Sequence, residues 1–304
     1  LSSEPLPGWL FTGSVVDKQA FHTPEGSWSA SEAKYIPRSN LPVYQKQVFR
    51  ASLLGDGSPD PKTAGTTIYE NPDLRAWVNE NAPDVLIASF KSKMNTFSPD
   101  VLTGLQKAIE LAENNYSGLV VWQPTSLKLG TPGGPFSAGA NLEAALPMVM
   151  KGGPAGVEPF VKLFQDTMMS VKYSQVPVIS AISGIALGGG CELVLQSARR
   201  VAAIESYIGL VEIGVGLLPA GGGLKEAAIR AAQGVRLAGN VNYLDFTKAA
   251  FENAAMAKVS SSAQEAMKMA YLQKGDIIVP NVYELLAIAQ NQVQTMHYAG
   301  YHPP

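Results

Sequence analysis

Short apolar runs of strand length alternate with amphipathic segments through the middle of the chain. Residues 85–90, 119–122 and 176–182 are mostly apolar, as strands are when a sheet is covered on both faces. Ser98 followed by Pro99 predicts a helix start after the first run. This alternation predicts an α/β fold whose strands are mostly covered on at least one face. Apolar residues recur at helical spacing after that start: Val101, Leu102, Leu105, Ala108, Ile109 and Ala112.

The same patterns divide the chain into three parts. Residues 1–83 are repeatedly interrupted by proline and carry scattered aromatic residues, which predicts a linker or docking segment. Residues 84–236 hold the alternating strands and helices, and residues 237–304 are predicted to be mostly helical. Further strands are predicted at 200–203 and 207–210, and helices at 160–171, 191–198, 217–232, 247–258, 262–273 and from Asn281, where Glu284 fits a capping box.

Composition narrows the classes of protein that this pattern can represent. The chain has 304 residues, of which 46% are hydrophobic and 16% charged, so it is globular rather than intrinsically disordered. A net charge of -2 provides no basic surface for nucleic acid. The stretch at residues 173–191 lacks formal charge, but its serines, proline and glycines predict a buried strand and turn, so we expect no membrane span.

One cysteine and three histidines limit the chemistry of sulfur and metals. Cys191 has no partner for an internal disulfide, and the histidines lack zinc-site spacing, so we expect no metal and a reducing, cytoplasmic setting. Two glycine-rich loops, at 136–141 and 184–192, could bring backbone amides close to a ligand. Neither loop matches a P-loop or a dinucleotide-binding fingerprint, so we expect no NAD site in this chain.

Two carboxylates lie in contexts that could raise their pKa values. Glu192 follows three glycines at a predicted helix start, and Glu212 lies between apolar residues. An ordinary helix-N-terminal acid at Glu192 and a solvated loop acid at Glu212 are the simpler alternatives. Cys191 similarly has two interpretations, an activated thiol or a small buried packing residue, and the absence of a histidine nearby in the sequence favours packing.

The segment at 182–193 resembles the signature of the enoyl-CoA hydratase/isomerase (crotonase) superfamily. Residues 92–97, 136–142 and 211–223 resemble three further motifs of that family, in the same order along the chain. The resemblance covers about residues 84–275, and four ordered motifs are far more specific than one glycine run. It implies a ClpP/crotonase-like α/β fold, a spiral of ββα units followed by a C-terminal helical region, with residues 84–236 as the crotonase core.

The resemblance also implies roles for particular residues. Glu192 and Glu212 would hold a water molecule between them and transfer protons, while the backbone amides of Ala140 and Gly189 would bind the thioester oxygen. Asn141 stands where the family usually has Asp, which affects CoA binding rather than the chemistry. Contacts with the CoA substrate are expected from Ala138, Asn141, Leu142, Gly188 and Pro219, and with its phosphates from Lys91 and Lys93, for which plain surface lysines are an equal alternative.

The implied activity is hydration of a trans-2-enoyl-CoA to a 3-hydroxyacyl-CoA in fatty-acid β-oxidation, a lyase reaction. The alternatives are an enoyl-CoA isomerase that uses one acid, or a non-catalytic module that holds a dehydrogenase in an assembly. The two ends resemble the C-terminal hydratase part of bacterial 3-hydroxyacyl-CoA dehydrogenases, so we expect a fragment whose NAD-binding module is missing. We expect no cofactor in this chain. We expect it to form a homo-oligomer, either trimer-based or dimeric.

Overall fold

A seven-stranded sheet organises the protein in a computed structural model that describes residues 5–11, 13–18, 20–49, 60–124, 134–238 and 242–304. From one edge to the other, the strand order is β10-β9-β8-β7-β6-β5-β4. The strands from β10 to β6 are parallel, β5 is antiparallel to β6, and β4 is antiparallel to β5. These strands are β4 (Thr66–Glu70), β5 (Leu74–Val78), β6 (Val85–Phe90), β7 (Gly118–Trp122), β8 (Val178–Leu187), β9 (Arg199–Gly209) and β10 (Ile277–Val279).

The helices connect and cover these strands. Three short strands that precede the main sheet, β1 (His22–Thr23), β2 (Gly26–Ser29) and β3 (Lys34–Ile36), form a separate antiparallel sheet. The helices are α1 (Ser14–Lys18), α2 (Pro42–Gln45), α3 (Pro99–Asn115), α4 (Leu142–Tyr173), α5 (Gly189–Gln196), α6 (Gly223–Ala238), α7 (Tyr243–Ala255), α8 (Ala263–Lys268) and α9 (Leu285–Tyr298). Short 3₁₀ turns lie at Gly8–Phe11, Lys93–Asn95, Glu212–Val215 and Val282–Glu284.

The main sheet is buried on both faces. Successive side chains of a strand point to opposite faces, and β6 shows this directly. Leu86 and Ala88 pack in a core that includes residues of α3, α4 and α5, whereas Val85 and Ile87 pack in a second core with residues of α9. Because both faces are covered, β6 and β7 are apolar at nearly every position, which is why the sequence pattern identified them.

The sheet crosses both boundaries that we predicted, at residues 83/84 and 236/237. Leu74 and Trp77 of β5 are fully buried although they lie in the proline-rich part of the chain. At the other end, β10 pairs with β9 and adds a strand from the region predicted to be helical. Proline and glycine flank β4 and β5, so turn residues in the sequence obscured two short strands that the core requires.

Most predicted elements of the core are present, with shifted ends. Ser98 caps α3, because its side chain accepts a hydrogen bond from the backbone amide of Val101. The stretch without formal charge forms β8 and its following turn. The two strands predicted at 200–203 and 207–210 are one continuous strand, β9. Asn281 accepts from the amide of Tyr283 and bonds to Glu284, but it caps a 3₁₀ turn before α9.

Backbone strain at Ala270 leads to a stability prediction. Ala270 is exposed, follows the end of α8, and has φ of 62°, a left-handed conformation that favours glycine. Ala270→Gly should therefore raise the free energy of unfolding by about 0.5–1 kcal/mol, measured by urea denaturation. As a control, Ala249→Gly removes an exposed alanine inside α7 and should lower it by about 1 kcal/mol. Equal losses in the two variants would contradict the strain at Ala270.

Candidate active site

Glu192 lies in the first turn of α5, directly after the longest parallel pairing of the sheet. The strand β8 ends at Leu187, and Gly188 is the N-cap of α5 with φ of 53°, so glycine is favoured at the reversal from strand to helix. Gly189 is the first helical residue, and amides of a first turn have no partner within the helix. The reversal therefore presents the Gly189 amide and the positive end of the helix dipole at the carboxyl end of β8.

A short extended segment places Ala140 beside this helix start. Ser137 pairs with Ala186 in parallel, and Ala140 pairs with Phe97 in parallel. Phe97 donates to the Gly139 carbonyl (2.9 Å) and accepts from the Asn141 amide (3.0 Å), so the Ala140 amide is directed away from Phe97.

Gly139 shows how closely this segment approaches α5. A Cβ atom on Gly139 would lie 2.8 Å from the Leu187 carbonyl oxygen and 3.2 Å from the Gly189 nitrogen. The extended segment and the helix start are therefore in direct contact. This brings together the two amides that we predicted to bind the thioester oxygen.

The Glu192 carboxylate is buried against the turn that begins α6. Its side chain is almost inaccessible, and its Oε1 atom accepts a hydrogen bond from the Gly223 amide at 2.9 Å. Burial and the charge of Glu212 raise the pKa of Glu192, the amides of Gly223 and Gly221 lower it, and together they bring it to about 7. Glu192 can therefore gain or lose a proton near neutral pH.

Glu212 begins the 3₁₀ turn after β9, and its carboxylate lies beside Gly188, the N-cap of α5. Its Oε1 atom is 3.5 Å from where a Cβ on Gly188 would be. Both carboxylate oxygens are inaccessible and make no hydrogen bond of ordinary geometry to a described residue. Burial raises the pKa of Glu212, and the nearby amides of Glu212 and Val211 offset part of that rise. A buried carboxylate without partners is costly, which is typical of a group kept for chemistry.

The pKa of Glu192 predicts a pH-dependent stability. The folded state binds this proton more tightly than the unfolded chain does, so the free energy of unfolding falls as pH rises from about 4.5 to about 7. Glu192→Gln removes the contribution of this carboxylate to that fall. The free energy of unfolding of the variant should therefore exceed that of the native protein by about 3 kcal/mol at pH 8, and should not exceed it at pH 4.5. Urea denaturation at the two pH values measures this. An equal difference at both pH values would contradict the raised pKa.

The residues predicted to bind substrate occupy different environments. Gly188 is buried, Ala138, Asn141 and Pro219 are half-buried, and Leu142 is exposed at the start of α4. The Ala138 amide already donates to the Met94 carbonyl at 3.1 Å. Lys93 is exposed. Lys91 forms an exposed ion pair with Glu70 at 2.7 Å, so a CoA phosphate would compete with the Glu70 carboxylate for Lys91. These substrate contacts remain predictions.

Cys191 lies next to Glu192 but is suited to packing. It is fully buried, and burial together with the charges of Glu212 and Glu192 raises the pKa of the thiol well above its ordinary value. Such a thiol stays protonated at neutral pH. Within the described ranges, no group of three or more histidine, cysteine, aspartate or glutamate residues is arranged to hold a metal ion. In the same part of the chain, none of the helices has the length and apolar character needed to span a bilayer.

Sequence reasoning included residues 219–223 in a motif but missed what they contact. The Gly223 amide holds Glu192, and a Cβ on Gly221 would lie 2.6 Å from Glu192 Oε2. The glycine run before a helix was an available signal, since the amides of such a turn favour a carboxylate. No signal in the sequence linked Lys172 to Glu226, although their side chains form a buried ion pair at 2.5 Å beside this turn.

Comparisons with known proteins agree with this architecture. A family model described as enoyl-CoA hydratase/isomerase matches residues 85–270. The chain is 40% identical, over 98% of its length, to a Bacillus subtilis protein named "Probable 3-hydroxyacyl-CoA dehydrogenase", of which it covers 35%. It is also 30% identical to human mitochondrial methylglutaconyl-CoA hydratase over 56% of this chain and 49% of that protein. The chain thus spans between about a third and a half of these two curated relatives.

A solved structure is similar over most of the described fold. The crystal structure of an enoyl-CoA hydratase from Bacillus anthracis is 26% identical, with a TM-score of 0.57 over 73% of this chain and 76% of that one. The predicted crotonase-like fold is therefore confirmed.

Proposed function

The chain belongs to the enoyl-CoA hydratase/isomerase family, and from that premise we propose that it hydrates trans-2-enoyl-CoA to 3-hydroxyacyl-CoA. The observation that carries this proposal is a pair of carboxylates, Glu192 and Glu212, whose oxygens are withdrawn from solvent and which lie close enough for the charge of Glu212 to raise the pKa of Glu192. Addition of water needs one group to accept a proton and another to donate one. Glu192, whose pKa is about 7, can exchange a proton near neutral pH, and the raised pKa of Glu212 makes it a better proton acceptor than an ordinary carboxylate.

The proposed reaction combines the addition of water with two proton transfers. An ionised carboxylate takes a proton from water as the water oxygen bonds to the β-carbon of the enoyl group. The electron pair of the double bond moves onto the thioester oxygen, which accepts hydrogen bonds from the Ala140 and Gly189 amides. The second, protonated carboxyl group then donates its proton to the α-carbon as the thioester carbonyl re-forms. No electrons enter or leave, so this reaction needs no redox cofactor.

Isomerisation is the second candidate, because the family includes isomerases. Moving a double bond from the 3- to the 2-position needs only one acid to remove and return a proton, and the second acid would have no task. The unpartnered oxygens of Glu212 therefore favour hydration, since they leave it able to bind a water molecule. A non-catalytic assembly module would have no use for two buried carboxylates that destabilise the fold.

The name of the Bacillus subtilis relative supports a place in fatty-acid β-oxidation. A 3-hydroxyacyl-CoA dehydrogenase acts on the compound that hydration of an enoyl-CoA produces. We therefore propose that this chain is the hydratase part of a longer cytoplasmic protein with an NAD-dependent dehydrogenase module, and that it assembles as a homo-oligomer. The proposed substrate is a CoA thioester, and the proposed hydration requires no cofactor.

Two substrates distinguish the candidate functions. Trans-2-enoyl-CoA esters of increasing chain length should lose their enone absorbance and yield 3-hydroxyacyl-CoA, identified by chromatography. A 3-enoyl-CoA should remain unchanged if the chain is a hydratase alone. Conversion of the 3-enoyl ester with no loss of the 2-enoyl ester would favour isomerisation. Failure to bind any acyl-CoA by calorimetry, with a stable oligomer, would favour the assembly module.

A further inference from the structure

The turn that holds Glu192 is itself held by the part of α4 that follows a kink at Gly153, where φ is 57° and ψ is -149°. We define the acid-holding turn as residues 220–223, which lead into α6 and include the Gly223 amide that bonds to Glu192. The Gln165 side chain of α4 donates to the Ala220 carbonyl at 2.8 Å. A Cβ on Gly221 would lie 2.3 Å from the Phe164 ring. The acid-holding turn is thus confined between α4 and the Glu192 carboxylate.

A buried ion pair connects α4 to α6. Lys172 near the end of α4 contacts Glu226 in the first turn of α6 at 2.5 Å, and their side chains are only 13% and 6% exposed. The Glu226 amide donates to the Gly222 carbonyl at 3.0 Å, so this residue is tied to the turn through its backbone as well. Lys225 also approaches Glu226, at 3.3 Å, but it is much more exposed.

We propose that the Lys172–Glu226 ion pair positions the Glu192 carboxylate by holding the first turn of α6, and with it the Gly223 amide, in place. Neither Lys172 nor Glu226 contacts Glu192 in this arrangement; they act through the acid-holding turn. An ion pair at this depth is expensive to desolvate and stabilises a fold little compared with apolar packing. A positioning role gives a physical reason for its presence, and this role rests on the proposed function of Glu192.

Loss of the pair has a specific expected consequence. If the turn moves, the Gly223 amide is no longer held at 2.9 Å from Glu192, and the hydrogen bond that lowers the pKa of Glu192 weakens. The pKa should then rise further. The other titratable groups of this region are Glu212 from the 3₁₀ turn and Cys191 on α5, which both interact with Glu192. Arg230 on α6 and Tyr271 after α8 interact with Cys191, and Lys225 pairs with Glu226. Of these, Glu212 acts on the Glu192 pKa directly.

The test replaces both partners, because removing one alone leaves a buried charge and can unfold the protein. In Lys172→Met/Glu226→Leu, we expect the Glu192 carboxyl carbon to titrate about one pH unit higher in ¹³C NMR, with the resonance assigned by its loss in Glu192→Gln. The limb of the kcat profile that depends on Glu192 should move by the same amount, with KM unchanged. The single variant Lys172→Arg keeps the cation, so its Glu192 titration and its kcat profile should both be nearly native.

A control on the same helix separates positioning from charge and packing. Asp166→Asn breaks the exposed Lys162–Asp166 pair of α4 (2.8 Å) and should leave the titration and kcat unchanged. Native titration of Glu192 in the double variant, whatever happens to kcat, would overturn the proposal. If the native protein hydrates no enoyl-CoA, the proposed function fails, while the NMR titration still decides whether the ion pair positions Glu192.

Discussion

Glu192→Gln and Glu212→Gln should each lower kcat for hydration by about 10²–10⁴-fold. Glutamine keeps the shape of each side chain and can still accept the Gly223 hydrogen bond at position 192, but it neither accepts nor donates a proton in the reaction. Either substitution removes one of the two proton transfers that addition of water requires. Turnover is measured by the loss of the enone absorbance of crotonyl-CoA. Binding is measured by calorimetry, and each variant should bind the CoA ester nearly as tightly as the native protein does.

Glu205→Gln provides the matched control for these variants. Glu205 lies on β9 between the two acids in the sequence, but its side chain is exposed. The substitution makes the same change of charge without touching the site, so kcat should stay native. Hydration at the native rate by either acid variant would show that its carboxylate has no part in proton transfer.

Gly139→Ala should lower kcat by about 10²–10³-fold through the amides that bind the thioester oxygen. The φ of Gly139 is +95°, and an added Cβ would lie 2.8 Å from the Leu187 carbonyl and 3.2 Å from the Gly189 nitrogen. The segment that carries Ala140 must therefore move away from α5, which separates the Ala140 and Gly189 amides. The measurement is kcat per folded molecule, with the folded fraction taken from circular dichroism.

Gly152→Ala is the corresponding control, since nothing lies within 4 Å of a Cβ at that position of α4. It should leave kcat native. A folded Gly139→Ala protein with native kcat would exclude the proposed pair of amides as the site that stabilises the developing charge.

The fold was predictable where burial leaves a continuous signal in the sequence. Residues of β6 and β7 are buried on both faces, so their strands read as apolar runs, and Ser98 with Pro99 marks the start of α3. The strands β4 and β5 were missed because they are short and flanked by proline and glycine. Their place in the sheet depends on the pairing of β5 with β6 and of β4 with β5, which local sequence does not encode.

The candidate site was predictable in its local parts and not in its long-range contacts. Gly188 to Glu192 are neighbours in the sequence, and one strand-to-helix reversal places them together. The Gly223 amide reaches Glu192 from another helix, and the Lys172–Glu226 pair joins residues far apart in the chain. Such contacts arise only when α4, α5 and α6 pack together. Burial is the main cause of the raised pKa of Glu192, and burial is what the apolar sequence context predicted, but the Gly223 and Gly221 amides that lower it were not predicted.

The central claim is that this chain adds water to an enoyl-CoA between two acids. Hydration of crotonyl-CoA in water enriched in ¹⁸O tests it most directly, with mass spectrometry of the CoA ester that forms. We predict a 3-hydroxybutyryl-CoA that carries one ¹⁸O atom, formed by the native chain and nearly absent with Glu192→Gln or Glu212→Gln. Recovery of unchanged crotonyl-CoA from the folded native protein, or a product without the label, would contradict the claim.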